Sequence, residues 1–199
     1  MVIIGLGTGR CGTVSLSKLI DKQEGARCSH EGVRLPWVVS EGRFNKAYNK
    51  IVQGYGDFIE EQKSTVFKRL SFVGDVSFYN LPYYNLFLER DPETKFIILK
   101  RDRDSVIKSY LKKTRGSNHW QKGLAKKNVW DECFPKFEAK DKADAIGMYY
   151  DKYYSMAEDI PNAFHMNTED LNDSDKCMDM LAFCGFSNPI LKSFWANRG

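Results

Sequence analysis

Residues 2–19 read VIIGLGTGRCGTVSLSKL, which is a short β-branched run, a glycine-rich turn and a stretch with helical spacing of apolar residues. Residues 2–4 suit a buried strand, and Leu16 and Leu19 follow at the spacing of one helix face. Glycines let backbone N–H groups approach an anion closely, and the helix N-terminus adds a partial positive charge. The stretch therefore predicts a phosphate-binding loop between a strand and a helix.

The loop lacks the lysine that follows the last glycine in nucleoside triphosphatases, GxxxxGK[ST]. Thr13 follows Gly12 here, and the cation of the loop is Arg10. The GTGRCG run also satisfies GxGxxG, the dinucleotide-binding pattern, and Glu31 lies 19 residues beyond Gly12. The loop alone leaves open a dinucleotide site, or a turn that only closes a strand against a helix.

A second anion site is predicted after another buried strand, residues 95–99 (KFIIL). The following KRDRDSVIKSYLKK has helical spacing, with Asp104 as the expected N-cap. Arg101 leaves the strand, and Ser109 lies about two helical turns into the next helix. Ligands of open parallel sheets gather at the carboxyl ends of strands, so the two sites should face each other. Together they predict a nucleotide phosphorylated at two places.

These motifs resemble those of sulfotransferases that use 3′-phosphoadenosine 5′-phosphosulfate (PAPS). The run GTGRCGTVSL is similar to the family's 5′-phosphosulfate loop, and RDRDSVIKS is similar to its 3′-phosphate motif. The resemblance implies PAPS as co-substrate, 3′-phosphoadenosine 5′-phosphate (PAP) as product, and no requirement for a metal. It also implies nucleotide contacts from Gly9, Arg10, Cys11, Gly12, Thr13, Val14, Ser15, Arg101 and Ser109.

The same resemblance implies a catalytic base. The string RCSHEG is similar to RCGEET of tyrosylprotein sulfotransferases, which makes Glu31 the base, whereas cytosolic sulfotransferases use a histidine, which makes His30 a rival. Adjacent residues of a strand point to opposite faces, so we expect only one of the two to face the acceptor. Arg10 is the third catalytic candidate, because its charge would stabilise the leaving phosphate oxygen. Without the resemblance, an ordinary surface carboxylate and a strand-end imidazole are the simpler interpretation.

The order of predicted elements indicates an α/β fold. Further strands are expected at residues 25–30, 72–75 and 163–166, with helices between them. This alternation favours a three-layer, P-loop-type fold with a central, mostly parallel sheet flanked by helices. The resemblance also covers the end of the third strand, where GDVS is similar to the family's G-[DE]-x-S and makes Asp75 a candidate second carboxylate of the site, with a helix cap as the equal alternative. We expect residues 1–199 to form a single sulfotransferase-like domain.

Composition excludes several classes of protein. The 199 residues are 42% hydrophobic, and no apolar run approaches the roughly 20 residues of a membrane span. No basic segment precedes the first strand as in a secretory signal, so a cytoplasmic protein is expected. The five cysteines show no CxxC pair, which favours reduced thiols over a zinc site or disulfides. Cys11 in its cationic loop would ionise easily, although a small residue tolerated in a tight turn is the favoured interpretation.

Residues 112–142 carry nine basic and four acidic side chains, a net charge of +5 in a chain of net charge +4. They could form a mobile flap over the nucleotide, a surface for an acidic acceptor such as a sulfated glycan, or an ordinary solvated face. His119, Trp120 and Trp130 lie among these cations, as in nucleic-acid surfaces. However, 30 basic against 26 acidic residues is a weak excess, and no binding motif is present, so no nucleic-acid partner is expected.

The function implied by the resemblance is transfer of a sulfuryl group from PAPS to an acceptor hydroxyl or amine. The acceptor could be a glycan, a small molecule or a peptide, and the oligomeric state is left open. A P-loop nucleotide kinase or hydrolase would need the missing lysine and an acidic magnesium ligand, for which Asp75 is the only position to examine. A non-catalytic nucleotide- or glycan-binding module would keep Arg101 and Ser109 but would not need a base at Glu31.

Overall fold

The computed structural model describes residues 1–53, 70–124 and 128–191. Its strands are β1 (Val2–Leu6), β2 (Ala26–His30), β3 (Phe72–Val76), β4 (Lys95–Lys100) and β5 (Ala163–Asn167). Its α-helices are α1 (Thr13–Asp21), α2 (Glu41–Val52), α3 (Tyr84–Arg90), α4 (Arg103–Lys113), α5 (Lys142–Glu158) and α6 (Ser174–Phe183). The strands form one sheet in the order β2-β3-β1-β4-β5, and every pair of neighbours is parallel. The predicted α/β fold is confirmed.

Apolar side chains cover both faces of this sheet, because successive residues of a strand point to opposite sides. Ile3 and Ile97 pack in a buried cluster with residues of α1 and α6. Ile4 and Ile98 belong to the opposite cluster, together with residues of α2, α3, α4 and α5. Helices therefore lie on both sides of the sheet, which gives the three layers that the sequence predicts.

The strand order locates the crevice in which such folds bind ligands. From β1 the chain forms β2 and β3 on one side, and then crosses β1 to form β4 and β5 on the other side. Open α/β sheets bind ligands where the strand order reverses, beyond the carboxyl ends of the strands. Here that point lies between β1 and β4, which brings the loop after β1 next to the segment after β4.

Some boundaries differ from the sequence prediction. The N-cap of α4 is Asp102, whose carboxylate accepts the Ser105 N–H at 2.8 Å, because the helix begins at Arg103 and Asp104 already lies in its first turn. A 3₁₀ helix, Phe78–Tyr83, precedes α3. None of the helices in the described ranges is long and apolar enough to cross a membrane.

Candidate active site

The glycine loop occupies residues 7–12, between β1 and α1. Gly9, Arg10 and Gly12 all have positive φ angles, of 80°, 61° and 92°, a region that glycine adopts far more easily than arginine. A Cβ at Gly7 would lie 2.8 Å from the Leu99 carbonyl oxygen of β4, so only glycine fits there. The loop leads into α1, where the hydrogen bonds of the helix begin with the Ser15 N–H donating to the Gly12 carbonyl at 2.9 Å, so the amides that precede Ser15 in the first turn can bind a ligand. This backbone is suited to binding an anion.

Hydroxyl groups of buried tyrosines form hydrogen bonds with the backbone of the loop. The Gly7 N–H donates to the Tyr153 hydroxyl at 2.8 Å, and the Tyr149 hydroxyl donates to the Thr8 carbonyl at 3.0 Å. The Tyr110 hydroxyl of α4 donates to the same carbonyl. These tyrosines are buried, so their hydroxyls need partners inside the protein. The sequence showed α5 only as a tyrosine-rich helix that packs, and nothing in its periodicity linked the hydroxyls to the loop.

The two anion motifs meet at the crevice. The Arg101 Nη1 donates to the Arg10 carbonyl oxygen at 2.9 Å, and the Arg10 Nε donates to the Ser109 Oγ at 3.0 Å. The Thr168 hydroxyl links the same region to the end of β5, because it donates to the Cys11 carbonyl at 2.7 Å. Arg10 therefore lies beside Arg101 and Ser109, which follow it by 91 and 99 positions in the chain.

His30 and Glu31 lie at the end of β2, beside the start of α1. The His30 Nε2 is 3.0 Å from the Thr13 Oγ1 and 3.9 Å from the Glu31 Oε1. The expectation that only one of them faces the site is wrong. Glu31 lies just beyond the strand and has a φ of 53°, so the left-handed turn ends the alternation of side chains. Both side chains are about a quarter exposed, at 26% and 27%.

Burial shifts the pKa of both residues. It lowers the pKa of His30 below 6.5, an effect that the nearby Asp75 partly opposes, so the imidazole is neutral at physiological pH. Burial raises the pKa of Glu31 above 4.5; the negative charge of Asp75 adds to the rise, while Arg34 and Arg10 oppose it. Either group can accept a proton, and the raised pKa makes Glu31 a stronger base than an exposed glutamate.

Asp75 supports this corner of the site from inside the protein. Its carboxylate is buried and accepts the Gly32 N–H at 2.9 Å and the Asn80 side-chain amide at 3.0 Å. The hydroxyls of Ser29 and Ser77 also donate to it. These bonds hold the turn at Glu31 against β3, so the structure favours a bracing role over a second catalytic carboxylate. A magnesium ligand at this position is also disfavoured, because N–H and O–H donors already surround both oxygens.

Cys11 is fully buried behind the loop. Burial raises the pKa of its thiol to about 11, so the interpretation as an easily ionised thiol is wrong. The side chain points into the protein interior, where it packs against Gly7, and not into the crevice that contains the cations. All five cysteines are buried and unpaired.

The basic segment, residues 112–142, is packed over much of its described length. Trp120 is fully buried, with its ring 4.8 Å from that of Phe134, which makes it unavailable for stacking on a nucleic-acid base. Three of its described lysines have partners within the segment: Lys122 pairs with Glu138 at 2.8 Å, Lys136 donates to the His119 carbonyl at 2.6 Å, and Lys142 donates to the Thr114 carbonyl. Part of its positive charge is thus used in holding the segment together.

Comparison with known proteins identifies a family. The sulfotransferase domain family matches residues 2–170. A sulfotransferase from Alicyclobacillus acidocaldarius has a similar structure, with a TM-score of 0.57 and 14% identity over 99% of this chain and 85% of that one. Weaker likenesses are found to the Bacillus subtilis YorR protein in complex with phosphorylated GDP, with a TM-score of 0.47 and 13% identity over 93% of this chain and 96% of that one. The sulfotransferase domain of the curacin biosynthetic pathway has a TM-score of 0.48 and 15% identity over 96% of this chain and 75% of that one. No curated protein matches the chain.

Proposed function

The chain belongs to the sulfotransferase domain family and is therefore a sulfuryl transferase, and we propose that its donor is PAPS. One observation carries the proposal: the Arg10 Nε donates to the Ser109 Oγ at 3.0 Å, which joins the 5′-phosphosulfate loop to the 3′-phosphate motif. A nucleotide phosphorylated at both positions needs both motifs at one crevice. A nucleotide with a single phosphorylated position would leave Arg101 and Ser109 without a phosphate to bind.

In this proposal the donor is held by backbone and cations. The amides of the glycine loop and the first turn of α1 bind the 5′-phosphosulfate, while Arg101 and Ser109 bind the 3′-phosphate. The donor-binding residues are Gly9, Arg10, Cys11, Gly12, Thr13, Val14, Ser15, Arg101 and Ser109. Cys11 contributes through its backbone, since its thiol is buried. The Ser15 N–H already donates to the Gly12 carbonyl at 2.9 Å, so Ser15 offers its hydroxyl more readily than its amide.

We propose that Glu31 removes the proton of the acceptor hydroxyl or amine. At the same time, the acceptor oxygen or nitrogen attacks the sulfur of the donor, and the bond between this sulfur and the phosphate oxygen breaks. His30 is the alternative base, but its Nε2 already contacts the Thr13 hydroxyl, which supports a role in orienting the loop. Arg10 offsets the charge that develops on the leaving phosphate. Its role is electrostatic, because a guanidinium stays protonated and is a poor acid.

The acceptor presents a hydroxyl or an amine on a glycan, a small molecule or a peptide. Five unpaired cysteines support a reducing compartment such as the cytoplasm. The packing of helices on both faces of one sheet supports a single domain.

The test is to incubate the protein with sulfur-labelled PAPS and a panel of glycans, phenols, peptides and lipids, and to follow both the label and released PAP. We expect transfer to proceed at nearly the same rate with magnesium and with EDTA. Arg10→Ala should lower kcat more than it weakens nucleotide binding, whereas Arg90→Ala, an exposed arginine bonded to Asn45, should change neither. Phosphoryl transfer from ATP with a strict magnesium requirement would instead establish the kinase alternative.

A further inference from the structure

Arg34 is a cation close to the proposed base that donor binding does not require. It follows Glu31 by three residues, and its guanidinium carbon lies 4.4 Å from the centre of the Trp130 ring. Its side chain is exposed. Within residues 1–53, 70–124 and 128–191, no carboxylate forms an ion pair with it. The family motifs of the nucleotide site do not include this residue, so the proposed binding of the donor does not use its charge.

A row of aromatic rings connects Arg34 to the glycine loop. A Cβ built on Gly9 would lie 3.9 Å from the Phe78 ring, and the centres of the Phe78 and Trp130 rings are 6.4 Å apart. Arg34 contacts Trp130 at the end of this row. The charges of Arg34 and of Arg10 in the loop both act on Glu31, so Arg34 lies near the site.

A backbone bond holds the two segments together. The Trp37 N–H donates to the Glu132 carbonyl at 2.6 Å, which ties the segment after Glu31 to the short 3₁₀ helix Val129–Glu132 that carries Trp130. The electrostatic effect of Arg34 on Glu31 agrees with this proximity. The bond places Trp130, and the guanidinium that contacts it, beside the segment that follows the proposed base.

Stacking leaves the donors of the guanidinium available. The Trp130 ring contacts the guanidinium through its π face and offers no carboxylate or carbonyl oxygen to it, so the guanidinium keeps N–H groups that match the two oxygens of a carboxylate or sulfate. A stacked side chain also loses less conformational entropy when it binds a ligand. In the proposed function, Arg10, Arg101 and the loop already bind the phosphates of the donor. An anion at Arg34 would belong to the acceptor.

We propose that Arg34, held by Trp130, binds a carboxylate or sulfate group of the acceptor, so that the enzyme prefers acceptors with an anion near the attacked hydroxyl. The inference rests on the proposed function and adds to it the chemical class of the acceptor. The contact would also bring the acceptor hydroxyl towards Glu31, since the two residues are three positions apart.

The test uses pairs of acceptors that differ only in charge. Sulfur-labelled PAPS is offered with 4-hydroxyphenylacetate or its methyl ester, and with methyl glucuronide or its methyl ester. We expect the acid of at least one pair to be labelled in preference to its ester. Arg34→Ala should raise the KM of that acid roughly 10- to 100-fold, the range of a charged hydrogen bond, with KM for PAPS unchanged. Trp130→Leu should produce a smaller rise, because Arg34 remains but is no longer held.

Arg43→Ala is the matched control, because Arg43 is exposed and pairs with Glu132 at 3.0 Å. It should keep the preference for the acid. Equal labelling of acids and esters, or labelling of esters only, would overturn the inference and leave the sulfotransferase intact. Failure to label any acid, in a protein that still binds PAP, would also overturn it. A protein that neither binds PAP nor transfers label would refute the proposed function as well.

Discussion

Glu31 and His30 are 3.9 Å apart, so single substitutions are needed to identify the base. Glu31→Gln should lower kcat by on the order of a hundredfold or more, because it removes the proton acceptor and preserves the shape of the side chain. His30→Gln should cost much less, since glutamine can still contact Thr13. Steady-state kinetics and PAP binding by calorimetry provide the measurements. An inactive His30→Gln protein beside an active Glu31→Gln protein would make the histidine the base.

The raised pKa of Glu31 predicts how stability depends on pH. The folded protein binds this proton more tightly than the unfolded chain does. The Glu31 carboxyl therefore does not lower the free energy of unfolding below pH 4.5, and it lowers this free energy as the pH rises through its folded pKa. Glu31→Gln should therefore raise Tm at neutral pH and have little effect below pH 4.5. Thermal unfolding at both pH values measures this, with the exposed Glu89→Gln as control. A lower Tm at neutral pH would contradict the burial argument.

Arg101 is expected to distinguish the proposed donor from nucleotides that lack a 3′-phosphate. Arg101→Ala should weaken PAP binding by roughly 1.5 to 3 kcal/mol, the value of a charged hydrogen bond, and barely affect adenosine 5′-phosphate. Isothermal titration of both ligands against both proteins measures the difference. Arg101 also donates to the Arg10 carbonyl, so any loosening of the loop adds the same small loss for both ligands, and the difference between the two losses measures the contact with the 3′-phosphate. Losses of the same size for both would show that the 3′-phosphate binds elsewhere.

At the scale of elements, α5 supports the loop that follows β1. Tyr153→Phe removes the acceptor of the Gly7 N–H and leaves this donor buried without a partner. We expect a loss of roughly 1 to 3 kcal/mol in the free energy of unfolding, together with weaker PAP binding. Urea unfolding and calorimetry test the two effects. Tyr48→Phe on α2, whose ring packs on Phe44, is the matched control and should leave PAP binding unchanged. Wild-type values for Tyr153→Phe would exclude α5 as a support of the loop.

At the scale of the whole molecule, the proposed ligand connects the ends of the two central strands, β1 and β4. PAP at about 100 times its Kd should add about 2.7 kcal/mol to the stability, which corresponds to a Tm increase of roughly 5 to 10 °C for a chain of this size. Differential scanning calorimetry measures the shift. Adenosine 5′-phosphate at the same concentration should give a smaller increase. Equal shifts would mean that the 3′-phosphate contributes no contact.

The sequence by itself was sufficient to predict the α/β architecture and to locate the two anion motifs. Strand, glycine turn and helix at residues 2–19 are local patterns, in which periodicity and glycine conformation depend on near neighbours. The strand before Arg101 and the helix that carries Ser109 are local in the same way. Parallel strands share their carboxyl ends at one edge, so the meeting of the two motifs followed from the predicted sheet.

Only the tertiary structure decided how the site is supported and which side chains face it. The left-handed turn at Glu31, which brings Glu31 and His30 to the same side, is held by Asp75 through the Gly32 N–H. The Tyr153 hydroxyl reaches Gly7 across 146 positions of the chain. Cys11 is buried and inert although its sequence neighbours suggest reactivity. Each of these depends on contacts and desolvation between distant segments, which exist only after the sheet and its helices have packed.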